Sequence, residues 1–237
     1  MSVVKSTSEN ALPNSSAKKT GSLKKRSGKT VGSKRRGSVR SPRRPAAKST
    51  SKAVFLVGFM GAGKSSVGHA LGQRLNWVFE DLDNRIEQRE GRTVAGIFME
   101  AGESGFREAE HHALTAVVEE LRAGSFRIVA LGGGAFIQQN NASLMKASGV
   151  PIVFLDAPVE ELWQRCCTQA AASGAERPLL RSQHQFHELY EARRKAYLKA
   201  PLRIQTSGRS VDEIAAEIAE RLALQPMGIR TEQGEVE

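Results

Sequence analysis

Residues 58–66, GFMGAGKSS, follow the apolar run AVFLV (53–57) and decide how the remaining chain is read. Gly58, Gly63, Lys64 and Ser65 satisfy the pattern G-x-x-x-x-G-K-[ST] in the context it needs, after a strand and opening a helix. The glycines let successive backbone N–H groups curl around phosphate oxygens, and the helix N-terminus adds partial positive charge. Lys64 is spaced to reach the β- and γ-phosphates of a nucleoside triphosphate, and the Ser65 hydroxyl to ligate Mg²⁺. A short, continuously apolar run ending in glycine suits a buried parallel strand. The segment after it, KSSVGHALGQRL, carries Val67, Leu71 and Leu75 at four-residue spacing, as a helix requires.

Outward from this loop the same alternation continues. WVFEDLD (77–83), RIVALGGG (127–134), PIVFLD (151–156) and LRIQT (202–206) read as four more strands. Between them lie helical pieces over 83–122, broken near Gly91 and Gly102–Gly105, and a helix from about Pro158. A loop over 168–182, a helix over 183–199 and a last helix over 211–224 complete the pattern. Strands alternating with helices predict an α/β fold, a three-layer α/β/α sandwich on a five-stranded parallel sheet. In such sheets ligands bind at the carboxyl ends of the strands, where Gly58 onward, Asp81 with Asp83, and Gly132–Gly134 all fall.

Composition divides the 237 residues unevenly. Residues 1–52 hold 9 Lys and 6 Arg against the single acid Glu9, so the formal total of +10 leaves the remainder at −4. Such a segment buries too little apolar surface to offset its ordering entropy. It is expected to be a disordered basic tail, followed by one domain over 53–225 and a flexible C-terminal tail over 226–237. No apolar run approaches the ~20 residues of a membrane span. The two cysteines, Cys166 and Cys167, have no metal-ligand spacing, and a reduced, cytoplasmic setting follows. A tail rich in Ser and Arg and poor in acids leaves organelle targeting as the alternative. His111 and His112, beside acids in a helix, have no evident partners, and Trp77 and Trp163 read as packing residues.

A phosphate loop alone leaves GTPases, ATPases, kinases and motors open. Asp81 and Asp83 stand two apart in a segment read as extended, so both point the same way from a strand end. One can hold Mg²⁺ through water; the other can bond a substrate hydroxyl and accept its proton. Arg107 in GESGFREAE is a candidate for recognising an anionic acceptor, or else a helix partner of Glu103 or Glu110.

GFMGAGKSSVG, DLDNRIEQREGRTVAGIF, GESGFREAE, LGGGAF and RPLL occur in the order and approximate spacing of the shikimate kinases, which the chain resembles over residues 53–205. That resemblance implies a nucleoside-monophosphate-kinase-like P-loop fold with a mobile lid and ATP-dependent 3-phosphorylation of shikimate with Mg²⁺. It places Gly61, Ala62, Gly63, Lys64, Ser65 and Ser66 at the phosphates of ATP and Asp81 near the metal. Asp83 becomes the base contacting the ring hydroxyls. Arg107 and Arg193 become the carboxylate clamp, and Gly132, Gly133 and Gly134 a triplet approaching substrate and γ-phosphate. Arg177 becomes a lid arginine on the phosphates, within a lid over 168–181, and Arg165 a residue against the adenine. A monomer with no membrane partner and no specific nucleic acid completes the expectation, although the tail suits non-specific polyanion binding. A kinase of another polyol acid such as gluconate, and a nucleic-acid-binding protein with a P-loop switch, are the competing classes.

Overall fold

The strand ahead of the phosphate loop, β1 (Ala53–Val57), is buried at all five positions. The computed structural model describes residues 51–173 and 182–228, all within the second of the two units of the chain, Met1–Arg44 and Pro45–Glu237. Five parallel strands stand in the order β2-β3-β1-β4-β5: β2 (Val78–Asp81), β3 (Arg127–Ala130), β4 (Ile152–Asp156) and β5 (Leu202–Gln205). β1 is therefore central, with Val54 opposite Ile128 of β3 and Leu56 opposite Val153 of β4. The continuously apolar runs are the inner strands, covered on both faces. The edges differ, as edges must: β5 alternates buried and exposed, and Val78 of β2 is 60% exposed. Each fully buried Val, Leu, Ile or Phe of the inner strands contributes about 1.5–3 kcal/mol.

Helix α1 (Lys64–Leu75) buries Val67, Leu71 and Leu75 as their spacing predicts. It lies close against the sheet because Gly68 has no Cβ; one there would stand 2.2 Å from the Phe79 ring. The next two helices are α2 (Leu82–Glu90) and α3 (Val94–Arg122). The break expected near Gly102 is a kink inside α3, where Gly102 takes φ 67 and ψ −170. After β3 come a 3-10 turn (Ala135–Ile137) and α4 (Gln139–Ser148), which the sequence pattern does not announce. Its apolar face is thin, with only Met145 fully buried besides Asn141. α5 (Val159–Ser173) and α6 (Gln183–Tyr197) flank residues 174–181, and α7 (Val211–Arg221) packs beside α1.

Three local expectations change. Residues 168–173, expected as loop, continue α5, because alanines are strong helix formers. Asp83 is not in an extended segment: the chain turns helical at Leu82, with Asp81 as the N-cap accepting from Asp83 N at 3.1 Å. His111 has a partner, Nδ1 to Asn141 Oδ1 at 2.7 Å, supplied by the unforeseen α4. Trp77 and Trp163 pack as expected, against Phe126 and Phe186. Among the described residues no helix is long and apolar enough to cross a membrane. Arg177, the RPLL segment, residues 1–50 and residues 229–237 lie outside the described residues.

Candidate active site

The carboxyl ends of β1, β2 and β3 open into a cleft of about 530 Å³. One wall is the phosphate loop. Gly61 takes φ 78 and a Cβ there would stand 2.7 Å from Leu162 O, so only glycine closes this turn against α5. Gly63, also left-handed, is the N-cap of α1 and offers no side-chain cap. The first-turn amides of α1 are thereby left for an anion. Lys64 reaches back across the loop, its Nζ donating to Gly58 O at 3.0 Å and Phe59 O at 3.1 Å. Removal from water pushes its pKa down, and the carboxylates of Asp83 and Asp81 pull it back up. Ala62 is buried beneath the loop, while Ser65 and Ser66 line the cleft.

Ser65 Oγ donates to Asp81 Oδ2 at 3.0 Å. Among the described residues no group of three or more His, Cys, Asp or Glu is placed to hold a metal unaided. A hydroxyl beside one carboxylate nevertheless fits Mg²⁺, which keeps several waters and is held chiefly by substrate phosphates.

The opposite wall centres on Asp83. Its Oδ1 is buried without a hydrogen-bond partner. A Cβ on Gly132 would stand 2.7 Å from that oxygen, so the glycine makes room for the carboxylate. Burial, then the nearby Asp81 charge, raises the Asp83 pKa from 3.8 to about 6, with Lys64 opposing. Arg107, in α3, lies over Gly134; a Cβ there would come within 2.5 Å of Nη1. The two readings of Arg107 prove compatible, because it also pairs with Glu110 at 3.0 Å and Glu103 at 3.2 Å. Glu110 is fully buried and Glu103 is exposed, so Glu110 aims the guanidinium while Glu103 holds its outer edge. Burial raises the Glu110 pKa and Arg107 lowers it. Arg193, from α6, reaches the same glycines: its Nη1 is 3.3 Å from where a Gly133 Cβ would be. Its guanidinium also stands over the Phe59 ring at 5.8 Å.

Between these polar groups Val94, Phe98 and Phe106 form an apolar wall, the two rings stacked at 4.5 Å. None of the three is identifiable as a site residue from sequence. Gln169, which lines the cleft from α5, is equally silent there. The F-R-x-x-E spacing was the available signal for Glu110. Arg165 donates to Thr206 O at 3.1 Å and Gly61 O at 3.4 Å, and pairs with Glu161. It stitches the phosphate loop to the β5–α7 connection and is not among the residues lining the cleft.

A cradle for a triphosphate faces a pocket with room for a small, oxygen-rich anion and too little for a folded partner. That division into donor and acceptor walls is the one of a P-loop kinase acting on a small molecule. The family model described as "Shikimate kinase" matches residues 60–223. A shikimate kinase of Persephonella marina is 38% identical over 170 residues, covering 71% of this chain and 98% of that one. One of Geobacter sulfurreducens is 41% identical over 169 residues, covering 70% of this chain and 88% of that one. Among solved structures, the Acinetobacter baumannii shikimate kinase in complex with shikimate superposes with a TM-score of 0.61 at 32% identity, covering 72% of this chain and 92% of that one. The Bacteroides thetaiotaomicron shikimate kinase gives 0.62 at 31%, covering 73% and 98%. The chain belongs to the shikimate kinase family.

Proposed function

We propose that this chain transfers the γ-phosphoryl group of ATP to the 3-hydroxyl of shikimate, giving shikimate 3-phosphate and ADP on the route to chorismate and the aromatic amino acids. The observation that carries the reading is the unpartnered Asp83 Oδ1, set in one cleft with the phosphate loop, Arg107 and Arg193. Shikimate is a small carboxylate with three hydroxyls, and each group has a counterpart. Arg107 and Arg193 clamp the carboxylate by bidentate, charge-assisted hydrogen bonds, and Val94, Phe98 and Phe106 cover the ring. For the carboxylate to bind, Glu103 yields its place on Arg107 while buried Glu110 keeps the guanidinium aligned.

In the transfer, the 3-hydroxyl oxygen bonds to the γ-phosphorus, the bond to the ADP oxygen breaks, and Asp83 takes the hydroxyl proton. Its pKa of about 6 suits a base near neutral pH, ionised yet still willing to hold a proton. Lys64 leaves its loop carbonyls for the phosphates, whose charge favours its ammonium form. Gly61–Ser66 hold the remaining phosphate oxygens by backbone N–H groups. Held by Ser65 and Asp81, Mg²⁺ would supply neutralising charge on the phosphate oxygens. Arg177 enters the proposal on the RPLL resemblance alone, as a further cation from a lid that excludes water. The cytoplasm as the working compartment, with an action as monomer, belongs to the same proposal.

The test is ADP release with Mg·ATP, followed by coupled spectrophotometry, across shikimate, gluconate and no acceptor. ADP forms with shikimate alone. Equal release without acceptor, or a preference for gluconate, ends the proposal.

A further inference from the structure

The Gly132–Gly134 loop meets both substrates in this scheme, yet it has no side chains to fix its own peptide planes. What holds it lies beneath it. Tyr197, the last residue of α6, is 0% exposed, and its ring stacks on Phe154 of β4 at 5.3 Å with 23° between planes. Its hydroxyl donates to Gly133 O. Arg193, one turn earlier on the same helix face, lies beside that hydroxyl, its positive charge opposing the upward push of burial on the hydroxyl's pKa. The two groups stand 3.3 and 3.5 Å from the Cβ position that Gly133 leaves empty.

The direction of the hydroxyl's bond is forced. A guanidinium only donates, a carbonyl only accepts, and a tyrosine hydroxyl has one proton to give. The Tyr197 proton is therefore given to Gly133 O, and its oxygen keeps its lone pairs for a cationic neighbour such as Arg193. A trans peptide is planar, with its C=O and N–H pointing in opposite directions. Holding Gly133 O down toward buried Tyr197 therefore turns the Gly134 N–H away from the core, on the side where Gly134 lines the cleft. Gly132 O and Gly134 O are used by the following turn, accepting from Ala135 N and Ile137 N at 3.1 Å each. The Gly134 N–H bonds to no other described residue.

We propose that Tyr197 is a positioning residue for phosphoryl transfer: its hydroxyl, beside Arg193 of the acceptor clamp, holds the Gly133 carbonyl, so that the Gly134 N–H stays aimed at the transferring phosphoryl group. This rests on the cleft being the kinase site argued above. It makes the acceptor clamp and the glycine loop one unit, while the lysine of the phosphate loop is bonded within residues 58–64.

Tyr197→Phe keeps the stacked ring and removes one hydroxyl. In the kinetic assay kcat falls about tenfold and the shikimate KM rises several-fold. The Kd for ADP, measured by calorimetry, is unchanged. Added to Arg193→Ala, the substitution still lowers kcat, because the bond to Gly133 O is made by the Tyr197 hydroxyl itself. In the ligand-free protein, amide exchange at Gly134 read by NMR becomes faster in Tyr197→Phe. Wild-type kinetics, an unchanged Gly134 amide, or a parallel loss of ADP and shikimate affinity with a lowered Tm each overturn the proposal, the last by making Tyr197 a general packing residue. The exchange measurement needs no acceptor. A wild-type chain that releases no ADP with shikimate removes the kinase reading, whereas an unchanged Gly134 amide removes the role of Tyr197.

Discussion

The ionised form of Asp83 is disfavoured by the fold and required by the proposed reaction. Its pKa rises from 3.8 to about 6 because burial and Asp81 penalise its charge. The folded chain thus binds the Asp83 proton more tightly than the unfolded chain does. Stability from this group is fully present below pH 3.8 and is lost as pH rises to about 6, by roughly 3 kcal/mol. In the proposed reaction activity runs the other way, since Asp83 must be ionised to accept the proton. We expect kcat/KM for shikimate to fall toward tenfold per pH unit below about 6. Asp83→Asn should lower kcat by about 10²–10⁴-fold and flatten that part of the denaturant-measured stability profile. A stability profile unchanged in the variant would move the titration to another group. Arg107 gives a second prediction at this scale. Arg107→Ala should raise the shikimate KM by about 100-fold and leave the ATP KM within about twofold. It also strands buried Glu110, so the variant should melt earlier than Glu110→Gln combined with it. Equal losses of ATP and shikimate would make the arginine structural. Lys64, Ser65 and the glycines of the loop are legible in sequence because their chemistry is set by neighbours a few residues away. The pairing of Glu110 with Arg107 is legible as helical spacing but its burial is not, and Tyr197 is silent because its role depends on a loop about 60 residues distant.

The elements divide in the same manner. Strands β1 and β4 and helix α1 are plain in the sequence because one apolar period covers each entirely. α7 is plain for a further reason: Ser210 and Glu213 form a capping box, with Ser210 N donating to Glu213 Oε2 at 2.8 Å and Glu213 N to Ser210 Oγ at 3.2 Å. Ser210→Ala should cost about 1 kcal/mol, a fall of about 2–4 °C in Tm, with kinetic constants unchanged. A kinetic effect would show that α7 transmits to the cleft through α1. The junction at Asp81–Asp83 is where period fails. Strand and helix meet without a spacer, so one aspartate ends the strand as a cap and the other stands in the first turn of the helix. α4 is hidden because a short helix with one fully buried methionine has almost no apolar period. Its N-terminal turn still matters, since Asn141 supplies the His111 partner.

At the scale of the whole molecule, the basic charge and the cleft occupy different parts of the chain. The net +14 belongs to residues 1–52, and the remainder carries −4. Lys52 O accepts from Arg127 N at 3.0 Å and Met227 N donates to Leu75 O at 2.8 Å, so a chain of residues 51–228 keeps both closures. That truncation should retain the kcat and KM of the full chain and lose its binding to heparin or DNA, which in the full chain weakens steeply with salt. Polyanion binding retained by residues 51–228, or activity lost from them, would contradict the separation. The sequence by itself determined the α/β fold, the order of its strands along the chain and the phosphate cradle. These follow from short-range periodicity and from glycine, lysine and hydroxyl groups within one turn of each other. Only the tertiary structure decided that Arg107 is aimed by Glu110, that Asp83 is left with an unpartnered oxygen beneath Gly132, and that Tyr197 holds the glycine loop. Each depends on which distant side chains are excluded from water together, and no local pattern encodes that.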